Sequence, residues 1–268
     1  MVVFSLLFGV ALAMVKKEEK RRPMLMFTES LTEVMFKFTN IVMRFAPLGV
    51  LGAIAYTVAS SGLGILGNLA RLLLTLYGAL AIFLLLVLLP VALFARVPIR
   101  RFIRAVAEPA AIAFGTSSSE AALPRAMEQM ETLGVPRPIV AFVMPTGYSF
   151  NLDGSTLYLS LAAMFVAQAS GLHLTLGRQL YIMLVLMLTS KGVAGVSRAS
   201  IVILLASAGT LGLPTEPIFI LLGIDQLMDM GRTAVNVIGN CLATVVIARW
   251  EGDFPDREPL PSLSEASK

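Results

Sequence analysis

Residues 72 to 95, LLLTLYGALAIFLLLVLLPVALFA, contain no charged side chain. At about 1.5 Å per residue, this run predicts a helix able to cross a hydrocarbon core of roughly 30 Å. Residues 1 to 15, MVVFSLLFGVALAMV, lack the basic n-region and small-residue cleavage site of a secretion signal. They read as the end of a transmembrane helix whose beginning is absent. Residues 24 to 61 begin amphipathic, with Glu29, Glu33, Lys37 and Arg44, and turn apolar after Pro47. That pattern predicts a long tilted helix with its first half near the cytoplasmic interface.

From residue 105 onward the pattern changes, and apolar segments are interrupted by small and polar residues. The interruptions are FGTSSSEAALP (114–124), PTGYSFNLDGST (145–156), SKGVAGVSRAS (190–200) and GIDQLMDMGRTAVNVIGN (223–240). They pair up, because the step from Ser118 to Asp153 nearly equals that from Gly195 to Asp229. Interrupted segments at corresponding positions of two halves point to the binding site of a secondary transporter.

Each interruption has a chemical reading. Irregular backbone survives at membrane depth only where it lines a cavity or is buried in protein. GTSSSE and GVAGVS suit the tips of re-entrant hairpins, whose free amides can face an anion. The alternative is a polar loop outside the membrane, against which the arms are too short for full spans. NLDG at 151–154 breaks the next helix. Its freed carbonyls with Asp153 make a hard-oxygen site for a cation, unless Asp153 pairs with a basic residue elsewhere.

The fourth stretch should run as one helix, on which Asp225, Asp229, Arg232, Asn236 and Asn240 recur every three or four residues. At about 100° per residue they fall in a stripe roughly 80° wide. Charges at membrane depth are costly unless paired or facing water, so such a stripe is a functional candidate. Arg232 offers a planar fork to a carboxylate, Asp229 can take an ammonium, and the amides can orient a second carboxylate. That set complements an acidic amino acid. An internal Asp229–Arg232 pair without ligand is the alternative, and it accounts for two residues of the five.

Composition agrees with a membrane protein: 57% of residues are hydrophobic and 14% charged, where soluble domains sit nearer a quarter. Mean hydropathy is +0.82. The net charge of +4 gathers in Lys16, Lys17, Lys20, Arg21 and Arg22, then in Arg96, Arg100, Arg101 and Arg104. Such clusters mark cytoplasmic loops, and two intervening crossings put both on one side. They are no nucleic-acid footprint. The single Cys241 excludes an intramolecular disulfide and a cysteine-based metal site, and the single His173 reads as a loop residue. A serine hydrolase needs a base beside its nucleophile, and no Lys or His lies near 117–119.

TSSSEAALP, NLDGS, SKGVAGVS and DMGRTAVNVIGN, in this order, resemble the dicarboxylate/amino acid:cation symporter family of glutamate transporters and bacterial C4-dicarboxylate carriers. The resemblance implies an all-α membrane protein with two re-entrant helical hairpins and broken transmembrane helices in inverted repeat. Residues 1–104 then correspond to remaining scaffold and peripheral helices, the first three family helices being absent. Residues 105–250 correspond to the substrate-binding transport core, and 251–268 to a disordered cytoplasmic tail. By position, Arg232 resembles the arginine that holds the substrate side-chain carboxylate, and Asp229 the acid that holds its amine. Ser118, Ser119, Ser155, Thr233 and Asn236 match further substrate contacts, and Gly195 and Val196 match the gating tip of the second hairpin. Asn151, Asp153 and Asn240 match cation positions.

Asn240 stands where sodium-coupled members have aspartate, which favours H⁺ over Na⁺ as coupling cation. Ser117 and Met230 occupy positions where the family often has a further arginine, and Lys191 recurs in the dicarboxylate-type and proton-coupled branches. The expectation is a multi-pass symporter of the cell (inner) membrane, without cofactor, homotrimeric at full length. It would take up L-glutamate or L-aspartate with a cation by elevator-type movement. The alternatives are a C4-dicarboxylate symporter and a truncated, non-transporting fragment. Carriers specific for dicarboxylates tend to be neutral at the position of Asp229, which favours the amino acid.

Overall fold

The computed structural model describes residues 2–191 and 199–254, and every regular element among them is helical. Residues 1–60 form one compact unit and 61–268 another.

The first unit carries α1 (Val2–Met14), α2 (Glu18–Arg44) and most of α3 (Ala46–Ser61). Glu18 and Glu19 open α2 and Arg44 closes it, matching the sign of the helix dipole at each end. The long helix expected over 24–61 is divided at Phe45. Pro47 explains the division: it falls in the first turn of α3, where its missing N–H has no intrahelical partner to lose. Phe4, Phe27, Phe45, Leu51 and Tyr56 are exposed, as lipid-facing side chains are.

The second unit begins with α4 (Gly64–Phe83), a π turn (Leu84–Leu88) and α5 (Leu89–Phe94), together a 31-residue apolar span. The π turn ends two residues before Pro90, which has no N–H to continue the regular hydrogen-bond ladder. Leu69, Leu72, Leu76 and Leu80 face inward at helical spacing, while Leu74, Ile82, Leu85 and Leu86 face outward. α6 (Ile99–Thr116) and α7 (Ser119–Leu133) form a helical hairpin that turns at Ser117, a non-glycine residue at φ 52°. The next helix is broken as expected, into α8 (Arg137–Phe150) and α9 (Asp153–Ala169). His173 lies exposed in the following linker. α10 (Leu176–Thr189), α11 (Ala199–Leu211) and α12 (Glu216–Leu221) follow, then α13 (Asp225–Glu251), which runs unbroken.

Two apolar cores meet at α13. One packs its C-terminal half, through Val237, Cys241 and Val245, against α6, α7 and α8. The other packs Met228 and Val235 against α4, α9, α10, α11 and α12. The polar stripe of α13 therefore sits where the two cores adjoin. Two helical segments, Gly64–Phe94 and Asp225–Glu251, are long and apolar enough to cross a membrane, which agrees with an all-α membrane protein.

Candidate functional site

The stripe on α13 is buried: Asp225 and Asn240 are 0% exposed, Asp229 and Arg232 2%. Arg232 donates from Nε and from Nη2 to Asp229 Oδ1, each at 2.8 Å. Thr233 Oγ1 donates to the same oxygen at 3.1 Å. The guanidinium lies 4.3 Å over the ring of Tyr158 on α9, and Tyr158 donates its hydroxyl proton to Asp225 Oδ1 at 2.7 Å. Stacking and fork together fix the plane of the guanidinium. Nη1 alone is buried without a hydrogen-bond partner among the described residues. An unsatisfied buried donor costs about 1–3 kcal/mol, more when charged. A ligand carboxylate meeting Nη1 would remove that cost.

The internal pair considered from sequence is thus formed, and it leaves one arginine nitrogen over. The asparagines do different work. Asn236 Oδ1 accepts from the backbone N–H of Gly154 at 2.8 Å and of Ser155 at 3.3 Å. Its Nδ2 donates to Ser155 Oγ at 2.9 Å. α9 has no side-chain cap of its own at Leu152, so Asn236 caps it from a different helix. Gly154 is needed for this approach, since a Cβ there would run into the Arg232 carbonyl.

Asn240 donates from Nδ2 to the Met144 carbonyl on α8 at 2.8 Å. Its Oδ1 presses against Gly147, where a Cβ would occupy the same space, and has no partner among the described residues. A Cβ on Gly239 would come 2.6 Å from Asp153 Oδ2 and 3.5 Å from Asn151 Nδ2. Asp153 and Asn151 therefore lie against α13 at Gly239, whereas the neighbouring Asn240 side chain faces α8. They bring one carboxylate, and the described residues contain no cluster of three His, Cys, Asp or Glu able to hold a metal.

At the turn of the α6–α7 hairpin, Ser118 Oγ caps α7 by accepting from the Ala121 N–H at 3.3 Å, and Ser119 is buried. Ser117 Oγ accepts from Gln226 Nε2 at 2.8 Å, tying the turn to the start of α13. Gly195 and Val196 lie outside the described residues. Sequence reasoning missed Tyr158 and Gln226. Tyr158 had one available signal, a lone phenol in an apolar helix; Gln226 lay in the quoted polar stretch without a motif of its own.

The model of the sodium:dicarboxylate symporter family matches residues 1–250. A proton/sodium-glutamate symport protein of Bacillus caldotenax is 44% identical over 264 residues, covering 98% of this chain and 62% of the relative. The proton/glutamate-aspartate symporter of Escherichia coli (strain K12) is 45% identical, covering 97% and 59%. A C4-dicarboxylate transport protein of Acidovorax sp. (strain JS42) is 46% identical, covering 93% and 55%. The chain thus spans less than two thirds of the length of these relatives.

Proposed function

The chain belongs to the sodium:dicarboxylate symporter family, and from that premise we propose that it binds an acidic amino acid, L-glutamate or L-aspartate, for uptake with a cation. Transport, not hydrolysis, is the activity, and the proposed membrane is the cell membrane. In this reading α6–α7 and α10–α11 are the re-entrant hairpins of an inverted repeat. Residues 105–250 then form the transport core, which moves by an elevator-type step, and residues 1–104 supply scaffold and peripheral helices. Within a full-length protein the assembly is a homotrimer.

One observation carries the reading: Asp229 and Arg232 lie buried side by side, with Arg232 Nη1 unsatisfied among the described residues. The substrate side-chain carboxylate meets Arg232, Thr233 and Ser155, its ammonium meets Asp229, and Ser118 and Ser119 at the turn of the α6–α7 hairpin complete the contacts. H⁺ is the proposed coupling cation, because Asn240 brings an amide where a carboxylate would hold Na⁺ more strongly.

The second reading, C4-dicarboxylate symport, is favoured by the Acidovorax relative's name. Asp229 opposes it, since a buried anion repels a second carboxylate. Asp229→Ser separates the two. In radioligand binding the variant is expected to lose L-aspartate and to keep or gain succinate. Unchanged aspartate affinity would overturn the amino-acid assignment.

A further inference from the structure

The break between α8 and α9 already holds a cation that belongs to the protein. Lys191 Nζ donates to the Phe150 carbonyl at 2.8 Å, across 41 positions of sequence. Phe150 is the last residue of α8. The final carbonyls of a helix have no intrahelical partner and carry the negative end of its dipole, roughly half an elementary charge. Asp153 opens α9 three residues later, and its carboxylate is within electrostatic reach of the Lys191 ammonium. Ser190, fully buried with Oγ donating to the Met187 carbonyl at 2.8 Å, anchors the chain immediately before Lys191.

A helix C-terminus and a carboxylate at membrane depth make an electronegative place that costs several kcal/mol unless a cation answers it. The sequence presents this segment as a hard-oxygen site for a free ion. In the structure an ammonium carried on the α10 side reaches into it. A tethered cation needs no recruitment from solution, because its effective concentration is set by the chain.

We propose that Lys191 is a built-in cation at the α8–α9 break, standing in for a free Na⁺ there, so that this part of the core holds together without added sodium. For substrate binding the proposal rests on the symporter reading above; for the stability of the break it does not.

The test uses the purified chain in lipid nanodiscs, comparing wild type, Lys191→Met and Lys191→Arg in sodium chloride and in choline chloride of equal ionic strength. Thermal unfolding is followed without substrate. Wild type and Lys191→Arg are expected to have the same midpoint in both salts. Lys191→Met is expected about 3–6 °C lower in choline and to recover in sodium. A Lys191→Met midpoint equal to wild type in both salts would overturn the proposal. So would one equally lowered in both, because the lysine would then only pack. Wild type stabilised by sodium as much as Lys191→Met would overturn it too. In parallel, L-aspartate binding, with succinate as the comparison ligand, should differ less than about twofold between salts for wild type, and about tenfold or more for Lys191→Met. If no variant binds either ligand while the midpoints behave as expected, the symporter reading fails and the tethered cation stands.

Discussion

Arg232 is a side chain with nearly all its freedom removed. Two of its nitrogens share Asp229 Oδ1, its face rests on Tyr158, and Nη1 is left over. Lysine cannot reproduce this, having a single point of charge instead of a planar fork. Arg232→Lys is expected to weaken acidic-substrate binding about 100-fold, the loss of one or two charge-assisted hydrogen bonds, in a radioligand assay. Asn236→Ala belongs to stability as well as to binding. It strips the cap from α9 and leaves the Gly154 and Ser155 N–H groups unanswered. The expected destabilisation is about 2 kcal/mol, read as a lowered unfolding midpoint. An unchanged midpoint would show that water or another group caps α9 instead. The stripe was legible because helical period alone aligns Asp225 to Asn240. The partners of Asn236 were not, because they lie some 80 positions away and only the tertiary fold brings them in.

Among the elements, the breaks were easier to read than the docking. Ser117–Ser118 and Asn151–Leu152 fall where small or turn-forming residues interrupt apolar runs, and the structure turns at both. The division at Phe45 was missed because a change from amphipathic to apolar suits one helix leaving an interface as well as it suits two helices, and Pro47 is compatible with the start of a new helix. How α8 docks on α13 was invisible, since it depends on Asn240 filling the space above Gly147. That contact can be tested by a double-mutant cycle. Gly147→Ala alone is expected to destabilise by about 1–3 kcal/mol through overpacking. Combined with Asn240→Ala, which removes the clashing amide, the pair is expected to be much less than additive. Additive losses would mean that the two side chains do not meet.

At the scale of the molecule, family membership rests on residues 1–250, whereas the activity belongs to relatives longer than this chain. Charge supplies the topological expectation. The clusters Lys16–Arg22 and Arg96–Arg104 are each expected, from their charge alone, to face the cytoplasm. Cys241 is fully buried, so a Cys241→Ala background lets single cysteines be placed at Lys16 and Arg104. An impermeant maleimide is expected to label both in inside-out vesicles and neither in right-side-out ones. Labelling of the two from opposite sides would remove one of the proposed crossings between them.

In the proposed function, α13 presents its buried Asp229–Arg232 pair to an acidic amino acid. Calorimetric titration of the purified chain with L-aspartate and with succinate, in sodium and in choline, tests it most directly. Saturable heat from L-aspartate, little from succinate, and loss of the aspartate signal in Arg232→Lys are the expected results. A folded chain that binds neither ligand, or binds aspartate equally well after Arg232→Lys, would contradict the account.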